Sequence, residues 1–302
     1  MISMKNNIYL LLFVLSVLLS SCNGGGNATV QQAQDSQQLV KELNLNSPDC
    51  DQYVLMHTNH GYVKIKLYRE TPLHRKNFIN LVMNGFYDGQ LFYRVQKNLL
   101  IQTGDYTSKT SPNAHDLGVT DVEFTVPAEI DPAKRYHKRG ALAAASFYRG
   151  EKSSGAHFYI VTGKPAKDNE LAMSERDINK EIVNNMFLEL QIPYRKQIYQ
   201  LKNAAEHDIA KKEELNRLIS KLMAEARAAV KGKEFAYTQQ QRKLYKTTGG
   251  LPHLDAYYTV FGEVVEGMDV VDKISAVDAT SKGRPRSHVV IKKIEIIDDT
   301  TE

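Results

Sequence analysis

Only two cysteines, Cys22 and Cys50, occur in the 302 residues, so the chain offers no Cys-built metal cluster or redox motif. A surplus of charge of one sign is missing as well. Lys and Arg number 39 against 35 Asp and Glu, a formal net charge of +4. A surplus that small, scattered along the chain, gives no electrostatic footprint for nucleic acid. Its densest basic stretch, Lys134, Arg135, His137, Lys138 and Arg139, reads as a solvated loop. The nine histidines include no H-E-x-x-H spacing, and there is no G-x-x-x-x-G-K-[ST] loop, so no metal site and no cofactor is expected. His57 and His60 are explained by a turn beside a strand. Long apolar runs are absent except for residues 8–19, shorter than the about 20 apolar residues that a membrane-crossing helix needs. What remains, 42% hydrophobic and 25% charged residues, is ordinary for a globular protein.

The first two dozen residues read as a targeting segment. Lys5 supplies a positive start, residues 8–19 an apolar core, and the run closes on Leu19-Ser20-Ser21-Cys22. Small residues before a cysteine resemble the lipobox of bacterial lipoproteins, which implies that residues 1–22 are a signal peptide and that Cys22 is lipidated. Residues 23–38, rich in Gly, Asn, Gln and Ser, bury nothing, and residues 23–50 are expected to form a flexible tether to a membrane. With Cys22 acylated, Cys50 has no intramolecular partner, and the fold must stand on its core. The expected location is the bacterial cell envelope, lipid-anchored and facing the periplasm.

Residues 53–68 alternate as a hairpin would, with Val54 and Met56, then Val63, Ile65 and Leu67, around a His60-Gly61 turn. Thr71 and Pro72 predict a helix start, with Thr71 as N-cap. Phe78, Leu81 and Val82 give that helix a buried stripe, and Gly85 ends it. Short β-rich runs follow at 91–95, 99–102, 141–145, 157–161 and 258–264. A short helix around 268–274 and a last strand at 288–297 complete a pattern that predicts a barrel or sandwich.

Between 164 and 250 the texture changes to Lys, Glu, Ala, Leu and Gln. Ile178, Ile182, Met186 and Leu190 recur every four residues; Ile198, Leu201 and Ala205 form a shorter stripe; Leu215, Leu218, Ile219, Leu222 and Ala226 form a third. Three or four amphipathic helices are predicted, with Pro193 separating the first from the second. Residues 165–249 are therefore an α-helical insertion between two parts of a β domain, 51–164 and 250–298.

Phe92-Tyr93-Arg94-Val95 followed by Leu99-Leu100-Ile101-Gln102-Thr103-Gly104-Asp105 resembles the signature of the cyclophilin-type peptidyl-prolyl isomerases. Four further blocks resemble that family in order. They are Gly61-Tyr62-Val63-Lys64-Ile65 with Asn77-Phe78, Gly140-Ala141-Leu142-Ala143-Ala144-Ala145, Ser154-Gly155-Ala156-His157-Phe158-Tyr159-Ile160, and Leu254-Asp255 with Val260-Phe261-Gly262-Glu263-Val264. The resemblance implies a mainly β fold, an antiparallel eight-stranded barrel capped by two helices, with the helical subdomain inserted. It also implies catalysis by Arg94 and Gln102. A substrate groove would be formed by Phe92, Leu99, Leu100, Ala145, Ser146, His157, Tyr159, His253, Leu254 and Tyr258.

The chemistry needs neither nucleophile nor metal. Twisting a peptide bond costs about 18–20 kcal/mol in lost resonance, and at an X–Pro bond the uncatalysed step takes tens to hundreds of seconds. A dry pocket for the ring and a donor aimed at the prolyl nitrogen, which becomes basic as resonance is lost, lower that barrier; about 7 kcal/mol would be a 10⁵-fold acceleration. Several departures from the family stand out. Leu99 and Leu100 replace a Phe-Met pair, and Tyr159 replaces Phe, adding a hydroxyl that wants a partner. Ser146 stands for Asn and His157 for Gln, while Thr103 and Ala256 stand for Gly. His253 occupies a position where some cyclophilins carry the Trp that this chain lacks, which implies weak cyclosporin binding. Two readings follow: an isomerase acting on proline-containing, partly folded exported chains, or a catalytically weak module that only binds such segments. In either, the insertion could contact a client or a protein partner.

Overall fold

The computed structural model describes residues 50–113, 116–147 and 152–298. The signal segment, Cys22 and nearly all of the tether lie outside the described residues. Strands β1 (Gln52–Thr58) and β2 (Gly61–Leu67) form the expected hairpin, with Val54, Met56, Val63, Ile65 and Leu67 fully buried. Then come β3 (Arg94–Gln96), β4 (Leu100–Thr103), β5 (Thr125–Pro127), β6 (Ala141–Ala144), β7 (Lys152–Ser154), β8 (Phe158–Val161), β9 (Val260–Glu266) and β10 (Ile291–Ile297). Eight of them make one antiparallel sheet in the order β10-β1-β2-β9-β6-β8-β4-β3, while β5 and β7 pair separately. The two edges meet. Leu91 bridges Val290, the Phe92 amide donates to Val289 O at 2.9 Å, and Val95 N to Gly283 O at 2.7 Å. The sheet thus curls on itself and hides its edges, which removes a pairing hazard.

Helix α1 (Pro72–Met83) buries Phe78, Ile79 and Val82 against this sheet; Leu81, expected in the stripe, is only half-buried. Its start is not capped by Thr71, whose hydroxyl instead donates to Tyr68 O at 3.3 Å. The Glu129 carboxylate takes that role from a distant loop, accepting from Leu73 N and His74 N, both at 3.0 Å, and from His74 Nδ1 at 2.6 Å. An anion there satisfies orphan amides and suits the positive helix end.

The insertion comprises α2 (Asp168–Gln191), α3 (Arg195–Ala204), α4 (Ile209–Val230) and α5 (Gln239–Thr247). Pro193 lies in the 3₁₀ turn between α2 and α3. Asp208 and Thr238 start α4 and α5 by accepting backbone hydrogens. Burial on α2 is deepest at Leu171, Ser174 and Ile178, while Ile182, Met186 and Leu190 are only half-covered. Leu171 and Ile178 pack with Ala166, Tyr237 and Tyr245. Helix α6 (Met268–Ser275) then precedes β10.

The basic stretch at 134–139 is not a solvated loop. Arg135 lies 3.6 Å over the Tyr68 ring and pairs with Glu70 at 2.7 Å, Arg139 pairs with Asp272, and His137 is fully buried. Aromatic and acidic partners distant in sequence fold it inward.

Candidate active site

Strand register assembles the site. Arg94 on β3 faces Gln102 on β4, Gln102 faces Tyr159 on β8, and Tyr159 faces Ala143 on β6. These four residues form one row across the curled sheet, and directly paired positions hold their side chains side by side. Gly104 lets β4 run against β8: its φ is +111°, and an added Cβ would lie 2.4 Å from Ala156 O.

Arg94 is held from both sides. Nη1 donates to Gln102 Oε1 at 3.2 Å and Nη2 to Gln96 Oε1 at 2.7 Å. Its fork is thereby fixed in direction while its charge borders a cavity of about 270 Å³. That cavity is lined by Arg94, Leu99, Leu100, Gln102, Ala145, Ser146, Tyr159, Leu251, His253, Leu254 and Tyr258. Its floor belongs to a buried cluster of Leu100, Ala143, Tyr159, Val161, Leu251 and Val260. The 3₁₀ turn Pro252–Leu254 supplies the far wall, with His253 exposed at the mouth.

Two expected groove residues are not among the lining. Phe92 precedes β3 where the sheet edges meet; its amide is tied to Val289 and its ring is buried. His157 is buried too. Its Nδ1 lies 2.7 Å from Tyr93 Oη, its Nε2 lies 2.7 Å from Thr120 O, and Phe147 and Tyr93 flank the ring. Both ring nitrogens are engaged, so His157 is structural. Four residues to which the sequence assigned no role in the site belong here: Leu251, Gln96, His137 and Asp255. The buried, paired histidine left no periodic signal. Gln96, at i+2 from Arg94 on a strand, shares its face and was in principle detectable.

The hydroxyl that Tyr159 adds has found its partner. His137 Nε2 lies 2.9 Å from Tyr159 Oη, with the rings stacked at 5.9 Å between centroids. Nδ1 of His137 donates to Asp255 Oδ1 at 2.7 Å, and His137 N donates to the same oxygen at 2.7 Å. Asp255 Oδ2 accepts from Tyr245 Oη at 2.7 Å and from Tyr237 Oη, both of which belong to the insertion. Ser174 on α2 shares the Tyr237 hydroxyl at 2.8 Å and donates to Pro252 O. A buried carboxylate is tolerable because four donors surround it. Burial first, with the Asp255 carboxylate adding to it, holds the Tyr159 phenol far above its ordinary pKa, so it remains a donor. The pocket wall is therefore wired to the helical insertion.

A cavity with an apolar floor beside a fixed guanidinium can hold a proline ring and offer hydrogens to a nitrogen that gains basicity. Among the described residues, no group of three or more His, Cys, Asp and Glu gathers as a metal site requires.

Residues 53–179 and 204–296 match the family model "Cyclophilin type peptidyl-prolyl cis-trans isomerase/CLD". The chain is 26% identical over 260 residues to a protein of Staphylococcus haemolyticus provisionally named a peptidyl-prolyl cis-trans isomerase, covering 85% of this chain and 97% of the relative. It is also 26% identical over 265 residues to a Streptococcus pyogenes protein provisionally named a bifunctional phosphatase/peptidyl-prolyl cis-trans isomerase. That match covers 85% of this chain but only 42% of the relative. A solved cyclophilin-type isomerase from Cryptosporidium parvum is similar with a TM-score of 0.48 and 18% identity, over 83% of this chain and 99% of that one. The family match spans most of the chain, including the strands that carry Arg94, Gln102 and Tyr159: this protein belongs to the cyclophilin-type peptidyl-prolyl cis-trans isomerases.

Proposed function

We propose that the isomerase acts at the 270 Å³ cavity, with Arg94 donating to the prolyl nitrogen as the amide twists and Gln102 receiving the flanking backbone. The supporting observation is the shared row of Arg94, Gln102 and Tyr159 beside that cavity. Leu99, Leu100, Leu251, Leu254 and Tyr258 would hold the ring. Its clients would be proline-containing, partly folded exported chains. Lipidated Cys22 would anchor the enzyme in a bacterial cell envelope, facing the periplasm, and the support is the lipobox-like Leu19-Ser20-Ser21-Cys22. The insertion would meet client or partner chains at its groove beside Ala256, lined by Ile178, Ile182, Phe187, Leu188 and Met223.

Exchange of a short X–Pro peptide followed by NMR tests the catalytic part, wild type beside Arg94→Ala. Acceleration lost by roughly tenfold or more in the variant supports the assignment; equal rates reject Arg94. Membrane fractionation and intact mass of the full chain against Cys22→Ala test the anchor. An unlipidated, freely soluble wild type would rule it out.

A further inference from the structure

A second, larger cavity of about 700 Å³ shares Arg94 and Gln102 with the first. Its lining includes Arg94, Lys282, Arg284, Arg286 and His288, and no carboxylate side chain. Its rear wall is the loop between α6 and β10, which is ordered by its own hydrogen bonds. Thr280 N donates to Arg284 O at 2.8 Å, Gly283 N to Thr280 O at 2.8 Å, and Ala279 bridges Pro285. The loop is also bolted to the catalytic strand. Val95 N donates to Gly283 O, and a Cβ added at Gly283 would lie 3.2 Å from Cγ of both Arg94 and Gln96. Arg284 is pinned by Nη2 to Pro112 O, and His288 Nε2 sits 3.2 Å from Asn113 Oδ1.

The carboxylates near these cations leave them undercompensated. Asp278 pairs with Arg286 at 3.2 Å, with both side chains largely exposed. Asp105, which bears on Arg284, is buried and already accepts from Thr107 N, Thr107 Oγ1 and Gly118 N. Asp116 is exposed beside Leu117. Lys282 is exposed and makes no ion pair among the described residues. A chain lying across Arg94 with its proline in the small cavity would run its next residues into the large one.

We propose that the large cavity is an anion subsite, which takes a carboxylate or phosphate side chain of the client a few residues from the isomerised proline. The proposal rests on the isomerase reading and supplies its substrate preference. Concave placement of several cations raises the local potential beyond that of a single exposed pair, and salt weakens it.

The test uses capped Ala-Pro peptides carrying Glu, Gln or phosphoserine at successive positions on either side of the proline. Each is assayed by NMR exchange with wild type and with the Lys282→Glu/Arg286→Glu double variant, its fold checked by CD. The expected result is a wild-type kcat/KM about threefold to fivefold higher for Glu than for Gln at one or more positions, the size of an exposed charge pair. That ratio should fall toward one in high salt and invert in the double variant. A phosphoserine response above that of Glu assigns the subsite to phosphate, and an equal response assigns it to carboxylates. A Glu-to-Gln ratio of one at every position, or a ratio unchanged by the charge reversal, overturns the proposal. If no peptide is isomerised, the isomerase reading fails instead, and chemical-shift titration of the same Glu and Gln peptides still reads the subsite.

Discussion

The Tyr159 hydroxyl and His137 Nε2, 2.9 Å apart, join the wall of the proline-sized cavity to a buried carboxylate. Phenylalanine would fill the same space and leave the imidazole nitrogen unpaired in the dark. Tyr159→Phe is expected to lower unfolding free energy by about 1–2 kcal/mol in urea, the cost of an orphaned buried acceptor. Isomerase activity should stay within about threefold, because the cavity keeps its aromatic wall.

Asp255→Asn strikes the same network harder. The carboxylate accepts from His137 N, His137 Nδ1, Tyr237 and Tyr245, and an amide must turn its NH₂ toward one pair of these donors. A loss of about 3 kcal/mol is expected, the upper range for leaving a buried hydrogen-bonding group unpaired. Tyr237→Phe removes one donor and should cost about 1 kcal/mol. Since Asp255 follows the turn that carries His253 and Leu254, Asp255→Asn should also raise KM more than it lowers kcat.

Gln96 sets the aim of Arg94. Gln96→Ala frees Nη2 while leaving the cavity lining intact, so kcat should fall by about fivefold, roughly 1 kcal/mol of barrier, with KM and thermal midpoint nearly unchanged. Arg94→Lys should not restore Arg94→Ala, because an ammonium lacks the planar fork that Gln96 and Gln102 grip.

Glu129 makes the fold acid-sensitive. Burial works to raise its pKa, but hydrogen bonds from the His74 side chain and from His74 N and Leu73 N outweigh it, leaving it below the ordinary 4.5. A depressed folded pKa means that the carboxylate's contribution is complete above the unfolded value and is lost as pH falls through the folded one. Urea unfolding from pH 7 down to about 3.5 should show stability dropping below about pH 5. Glu129→Gln should be less stable at pH 7 by about 1–2 kcal/mol and should flatten that acid limb.

Much of the architecture was legible because local pattern and global fold agree. The hairpin around His60-Gly61 alternates cleanly, and Pro193 marks a real helix boundary. The cavity residues were reached through motif likeness; nothing in the composition of Leu99, Leu100 or Leu254 separates a pocket wall from core. What escaped was long-range. Glu129 caps a helix more than fifty residues before it, and His137, set among cations, looked solvated until Asp255 and Tyr159 enclosed it. Phe92 and His157 sit inside motif blocks, yet the closing of the sheet edges and the Tyr93 hydroxyl withdraw them from the cavity.

Strand β9 is the keystone of the sheet, lying between β2 and β6, and it is synthesised only after the whole helical insertion. Until it emerges, the β1–β2 hairpin and the β6–β8–β4–β3 half have no strand to join them, and each keeps a bare edge. Leu254 and Tyr258, two walls of the cavity, arrive with it. A nascent chain therefore passes through a stage in which four helices can already have formed locally while the catalytic half of the molecule waits, open and prone to mispairing, for strand β9. An isomerase of this design is itself a late finisher, incomplete until β9 and the cavity walls Leu254 and Tyr258 have left the ribosome.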